Sequence, residues 1–461
     1  MSFRKGERRI LIDCASISDL TPVTGIPRVV YNYIKGGYRF GRANGISVLP
    51  VYIQSQQILD ARPNLPEWTH DAPLFGRTAA ELAGIEPRQG REASKPFEAQ
   101  QRHLKRYGAP IFNLIARPAA ALVGDSRITQ LRTRYGKWRQ AETFKRMKMA
   151  TLTVRPGDIV FMPAYWHDEY PSSYRAAQRA GAVIVPLLHD VLPITIPEHY
   201  NEGWREEFRE NVLSTLSFCD HAMCISASTQ NEIRKIALES SVIMPPSSIH
   251  YHGFDFSRDN SEINNKNINS DFKTFFSNCS FSIVCVGSIE PKKNHKFLLD
   301  ACKILWDAGN DFNLAIIGRP GWKSDDIIRG IEQHMKIEPR IKWLRSATDA
   351  ELNYAYQHAN ICVLPSMAEG FGLPLIEALT RKLPVLASDI PPFREISGTS
   401  AEFFDHSSQD SLCDALTRLI NDPGAYADLA ARAKGFQWRS WEMASDTLFS
   451  QLLEIAPRCR A

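Results

Sequence analysis

The chain has 461 residues, 44% of them apolar, 10% aromatic and 23% charged, with a formal net charge of +4. That mixture excludes a disordered chain, a collagen and a small disulfide scaffold, and the length predicts two or three domains. The longest apolar stretches, 111–123 broken by Arg117 and Pro118 and 181–196 broken by His189 and Asp190, fall short of the roughly twenty residues that span a bilayer, so no transmembrane helix is expected. At the basic N-terminus Ile10, Leu11 and Ile12 run straight into Asp13, too short for the apolar core of a secretory signal. A cytoplasmic protein is expected. Nine cysteines with no C-x-x-C pair read as scattered reduced thiols rather than a zinc site or a disulfide framework.

In chain order, β-rich apolar runs at 9–14, 48–53, 158–162, 182–188 and 221–225 predict strands, most of them separated by helical patterns. Between the second and third run, residues 101–150 carry twelve Lys or Arg against Asp125 and Glu142 alone, with Leu104, Tyr107, Ile111, Tyr135 and Trp138 at helical spacing. This predicts two basic amphipathic helices, either a hairpin packed on its own domain or a face that docks peripherally on the anionic inner surface of the cytoplasmic membrane. No finger, homeodomain or RNA-binding signature accompanies the charge, so nucleic acid is not expected as a partner. An Asn- and Ser-rich stretch, 257–280, reads as an exposed linker, after which strands recur at 283–286, 314–317, 341–344, 361–364 and 385–387. Short strands with apolar residues on both faces imply parallel sheets, so the fold class is α/β with two Rossmann-like domains and a ligand cleft at the facing carboxyl ends of their strands.

The densest chemistry is LPSMAEGFGLPLIEALTRK, 364–382, in which a strand ends, a loop with Gly370 and Gly372 follows, and Pro374 opens a helix. Glycines beside the amides around Phe371, Gly372 and Leu373 form an anion site suited to a diphosphate. Glu369 and Glu377 flank it. Two carboxylates would repel a diphosphate if aimed at it, so they suit hydroxyls or a developing positive charge, which suggests a sugar; the plainer alternative is a capping Glu and a surface Glu.

EGFGLPLIE resembles the Glu-x7-Glu motif of glycosyltransferase family 4, retaining enzymes of GT-B fold that use nucleotide-activated sugars. VGSIEPKKNHKFLLDA from Val286, then IIGRPGW, ATDAEL and PVLASDIPPFRE, follow in the family's order, so the resemblance covers roughly 280 to 440. In the first half ILIDCASISDLTPVTGIPRVVYN, VPLLHDVLPITIPEHY and CISASTQNEI are similar to the family's opening strand and Gly loop, its His-Asp segment and the strand and helix beyond. The resemblance implies an N-terminal acceptor-side domain, 1–256, with an insertion at about 55–157, a donor-binding domain, 281–440, and a C-terminal helix within 441–461 that returns to the first domain.

It further implies that Lys293 contacts the donor diphosphate and that Glu377 holds both ribose hydroxyls. Glu369 and the amides of Phe371 and Gly372 would hold the transferred sugar and phosphate, and His189 would contact the donor as well; a satisfied core histidine is the other reading of that residue. Ser288 stands where the family commonly has an arginine, with Lys292 and Arg319 as replacements for its charge. Gly25 and Arg28 match the Gly loop and the first turn of the next helix. Lys382 replaces a commonly seen glycine. No two aspartates stand two residues apart, so catalysis without metal or other cofactor is expected. The form of EPKKN, GDIVFMPAYW and LLHDVLP is most similar to bacterial enzymes, mannosyltransferases among them, of O-antigen and other surface-polysaccharide synthesis, which implies transfer of a mannosyl or related deoxyhexosyl group, GDP-mannose being the first candidate donor, to a saccharide or lipid-linked saccharide acceptor. A GT-B epimerase or phosphorylase, or a non-catalytic assembly scaffold, would share the cleft.

Overall fold

The computed structural model describes residues 9–14, 26–54, 57–60, 151–164, 170–255 and 268–458. Gly25, the basic segment 101–150 and the start of the expected linker lie outside the described residues.

The first half comprises β1 (Arg9–Asp13), α1 (Ile26–Asn44), β2 (Ser47–Gln54), β3 (Gln57–Asp60), β4 (Ile159–Met162), α2 (Tyr170–Arg179), β5 (Val183–Leu188), α3 (Leu192–Thr195), α4 (Glu202–Leu216), β6 (Ala222–Cys224), α5 (Ala227–Glu239) and β7 (Ser247–Ile249). Its seven-stranded sheet runs β3-β2-β1-β4-β5-β6-β7. All neighbours are parallel except β2 and β3.

The second half comprises α6 (Ser270–Ser277), β8 (Ser282–Val286), α7 (His295–Asp307), β9 (Asn313–Ile317), α8 (Asp325–Ile337), β10 (Ile341–Leu344), α9 (Asp349–His358), β11 (Ile361–Leu364), α10 (Leu373–Thr380), β12 (Val385–Ser388), α11 (Pro391–Ser397), β13 (Glu402–Phe404), α12 (Gln409–Asn421) and α13 (Pro423–Gly435). Its six-stranded parallel sheet runs β10-β9-β8-β11-β12-β13.

Each run of apolar residues read as a strand is one. Ile10, Leu11, Ile12, Ile159, Val160 and Phe161 are fully buried, as expected of central parallel strands covered by helices on both faces. The strands without such a run, β3, β7 and β13, all lie on a sheet's edge side, and β7 is half-buried along its length. The stretch read as an exposed linker needs correction: its second part is α6, capped by the Asn269 side chain and burying Phe272 and Phe276 at helical spacing.

Helix α14 (Trp441–Arg458) packs on α1 of the first domain. Small residues allow the approach, since a Cβ on Gly36 would sit 2.1 Å from Ser445 Oγ and one on Gly37 2.7 Å from Phe449. Phe40 stacks on Phe449, and Arg39 pairs with Glu442 and Asp446. Lys382, at the position where the resemblance implies a glycine, has φ +64°, the left-handed conformation that glycine adopts without strain, and its Nζ donates to Phe436 O at 2.6 Å. None of the described helices is long and apolar enough to cross a membrane.

Candidate active site

The loops at the carboxyl ends of β5 and β11 meet between the two sheets. Gly370 has to be a glycine: a Cβ there would lie 2.4 Å from His189 O and 2.8 Å from Asp190 Cβ. Its own carbonyl accepts from Ser226 Oγ at 2.9 Å. Gly372 has φ +98° and would aim a Cβ at Phe393, 2.7 Å away, so both conformation and space require a glycine at the N-cap of α10. The helix begins at Leu373, which makes Pro374 its second residue rather than its first, and the dipole of α10 points its positive end at the cleft.

A second bridge joins the domains. Glu395 of α11 accepts from Ala227 N at 2.6 Å and Ser228 N at 3.0 Å, capping α5 of the first domain, and from Tyr251 OH at 2.8 Å.

Lys293 ends a short turn after β8, and its Nζ lies 2.5 Å from Glu369 Oε1, which also accepts from Ser366 Oγ at 2.7 Å. Both charged side chains are largely buried. Burial pushes the Glu369 carboxyl up, but Lys293 and Lys292 outweigh it and hold the group below the ordinary carboxylate range. Burial pushes Lys292 down, and Glu369, Asp190 and Glu290 more than reverse this, so it keeps its proton. Ser288 donates to Glu290 Oε1 at 2.5 Å. The neighbourhood of the missing arginine is therefore more acidic than the sequence suggests, and Lys292 and Lys293 are the cations beside it. Arg319 is exposed just beyond β9, and its carbonyl accepts from Ile289 N at 2.8 Å, which sets it next to the same loop.

Glu377 is not on an exposed turn. Its carboxylate accepts from Tyr356 OH at 3.1 Å and lies 3.5 Å from Arg28 Nη1, so Arg28 reaches across from α1 to the second domain. Arg28 also lies over the Phe254 ring, as does Arg381, which donates to Glu377 O at 3.0 Å. His189 is 5% exposed, and its Nε2–H donates to Pro163 O at 2.6 Å. Burial lowers its pKa and keeps the ring neutral. A neutral imidazole whose Nε2 is committed to a carbonyl is suited to orienting a ligand and poorly suited to carrying a fixed positive charge.

The structure thus groups Lys293, Lys292 and Glu369 near Gly370, whose backbone meets His189 of the first domain, and groups Glu377 with Arg28; Ser288 pairs with Glu290 near Lys292, and Phe371, Gly372 and Leu373 carry the loop into α10. Residues that the sequence does not mark include Tyr356, Arg381 and Glu395: Tyr356 and Glu395 meet partners distant in the chain, and Arg381, besides its local bond to Glu377 O, lies over Phe254. Among the described residues no group of three His, Cys, Asp or Glu could hold a metal ion.

Residues 267–436 match the family described as glycosyl transferases group 1. The chain resembles bacterial mannosyltransferases. It is 27% identical over 304 residues to the serotype-specific mannosyltransferase WbdA of Escherichia coli, an alignment covering 65% of this chain and 37% of WbdA, so the chain spans just over a third of that relative's length. To the O-antigen chain mannosyltransferase RfbU of Salmonella typhimurium it is 26% identical over 251 residues, 52% of this chain and 64% of RfbU. The Anabaena protein HepE, solved in complex with UDP and glucose, superposes with a TM-score of 0.56 at 15% identity over 97% of this chain and 99% of that one. The fold is GT-B.

Proposed function

We propose that this chain, a GT-B protein whose residues 267–436 match the glycosyl transferases group 1 family, is a retaining glycosyltransferase that moves a mannosyl group from GDP-mannose to a saccharide or lipid-linked saccharide acceptor in surface-polysaccharide synthesis. The observation that carries this reading is the meeting of Lys293, Glu369, Gly370 and the N-terminus of α10 with His189 of the opposite domain. Lys293, Lys292 and the helix amides would stabilise the nucleoside diphosphate as it leaves, a preorganised electrostatic role. Glu369 would face the developing positive charge on the sugar. The bond from the anomeric carbon to the diphosphate breaks while the acceptor oxygen bonds to the same face, and the acceptor proton passes to the departing phosphate oxygen. Atoms balance without a protein nucleophile. The mannosyl and O-antigen assignments rest on likeness to WbdA and RfbU.

A release assay with GDP-, UDP- and dTDP-sugars tests the reading. GDP release from GDP-mannose, dependent on a saccharide acceptor, is the expected result; isomerised donor with no transfer would favour the epimerase, and no nucleotide binding by calorimetry the non-catalytic scaffold.

Glu377→Ala is expected to weaken GDP binding by about 1.5 to 3 kcal/mol for each charged hydrogen bond lost to ribose. Because Glu377 also holds Arg28 and Tyr356, the thermal midpoint is expected to fall slightly as well. Unchanged calorimetric affinity removes Glu377 from the site.

Turnover is expected to persist in excess EDTA, since Lys292, Lys293 and the helix amides can supply the positive charge that a divalent ion would otherwise bring to the diphosphate. Activity lost on chelation and restored by magnesium or manganese would contradict this.

A further inference from the structure

We infer that Trp204, Tyr200 and Trp322 form a stacking platform for a pyranose ring of the acceptor saccharide, built jointly by the two domains; this deepens the transferase reading above and rests on it. Tyr200 follows the His-Asp loop of the first domain and is 4% exposed, with Trp204 at 5.4 Å and Trp322, from the loop after β9 in the second domain, also at 5.4 Å. The Tyr200 ring lies within 34° of parallel to Trp204 and 30° to Trp322. Trp204 is 44% and Trp322 40% exposed, whereas Trp306 and Trp441, which serve packing, are 7% and 6% exposed. Trp204 also packs on Phe208 at 5.4 Å, yet both tryptophans that converge on Tyr200 keep a large part of their surface open to solvent.

The position ties the platform to the proposed chemistry. Lys292 Nζ lies 5.7 Å from the Trp322 ring centre, and the neighbouring Lys323 Nζ donates across the cleft to Glu198 O at 3.0 Å and Tyr200 O at 2.9 Å, holding the Trp322 loop against the first domain. Burial and the nearby carboxylates Asp190, Glu290 and Glu369 raise the Tyr200 hydroxyl pKa, so the ring lies beside the site and not on a remote surface. A pyranose fits this chemistry. Its C–H face meets the electron-rich face of an indole, and its hydroxyls meet the carboxylates and lysines around the rings. A lipid chain would need a continuous apolar groove, which those charges interrupt.

The test uses the full chain with mannotriose as probe and GDP present. Mannotriose is expected to change intrinsic tryptophan fluorescence, and Trp204→Ala and Trp322→Ala are each expected to raise its KM about tenfold, with kcat and GDP affinity altered far less. Trp204→Phe and Trp322→Phe keep a ring and are expected to recover most of the loss. Leu238→Ala, an exposed side chain outside the stack, is the control for unaltered kinetics. An unchanged KM in all the tryptophan variants of an active enzyme overturns the platform while leaving the transferase reading intact. A loss of GDP affinity equal to the loss of saccharide affinity also overturns it, assigning the rings to the donor. If the parent protein neither binds nucleotide nor transfers sugar, the transferase reading fails; direct mannotriose binding, retained or lost in the alanine variants, then still decides the platform.

Discussion

Replacing Lys293 by alanine is expected to lower turnover by about a hundred- to a thousandfold, the usual cost of removing one preorganised donor from a developing anion. The ammonium lies 2.5 Å from Glu369 in a largely buried cluster, so the substitution removes charge from the leaving group and leaves a carboxylate without its nearest cation. The second effect is separable. In Lys293→Met with Glu369→Gln no net charge is left behind, and the fold should recover while turnover does not. Measurement of nucleotide release beside thermal unfolding distinguishes the two, and turnover within tenfold of the parent in Lys293→Ala would refute the assignment. The pH dependence has a defined sign. Because Glu369 is held below its ordinary value, its stabilising contribution is fully present above the unfolded carboxylate pKa of about 4.3 and is lost as pH falls through the lower folded value. The pair should therefore persist through neutral and mildly acid pH.

The largest stability effect is expected from Asp158→Ala, a loss of about 3 to 5 kcal/mol, because the substitution removes the carboxylate paired with Arg9, which is buried at the start of β1. Arg9 and Asp158 are joined by two contacts, Nε to Oδ1 at 2.8 Å and Nη2 to Oδ2 at 2.5 Å, with side chains 2% and 3% exposed. Nη2 also donates to Thr153 O at 2.9 Å, so the pair tethers the loop ahead of β4 to the first strand. By contrast, Lys296 and Asp300 on the surface of α7 are 80% and 41% exposed, and losing that pair should cost under about 1 kcal/mol. Urea unfolding of Asp158→Ala and Lys296→Ala in parallel checks the ranking. Equal midpoints would mean that the buried pair contributes nothing specific.

Much of the architecture was legible in local pattern. The parallel strands β1, β4, β5, β8, β9 and β11 are short apolar runs, and a strand buried on both faces can have little other composition. Gly370, Gly372 and the loop they shape were legible for a related reason: a backbone that meets a neighbour within 3 Å or adopts positive φ admits glycine and little else. Helix α6 is hard to read from sequence because only Phe272, Phe276 and the partly buried Phe275 carry its core-facing side over eight residues, too few to register as a periodic signal. Edge strands such as β7 escaped notice because half-buried residues need not be apolar.

What the tertiary structure alone decided is which partners the functional side chains meet. Glu377 looked exposed on its helix, yet Tyr356 and Arg28 reach it from 21 residues before it in the chain and from the other domain. Glu395 reads as a surface residue until α5 presents Ala227 N and Ser228 N to it. Trp204 and Trp322 are 118 positions apart and meet through Tyr200 because both domains turn the carboxyl ends of their strands to one cleft. Composition and spacing determine which faces are buried, since burial acts residue by residue. Hydrogen bonds, ion pairs and ring contacts are set by distances of a few ångströms between segments remote in sequence, and folding alone brings those segments together.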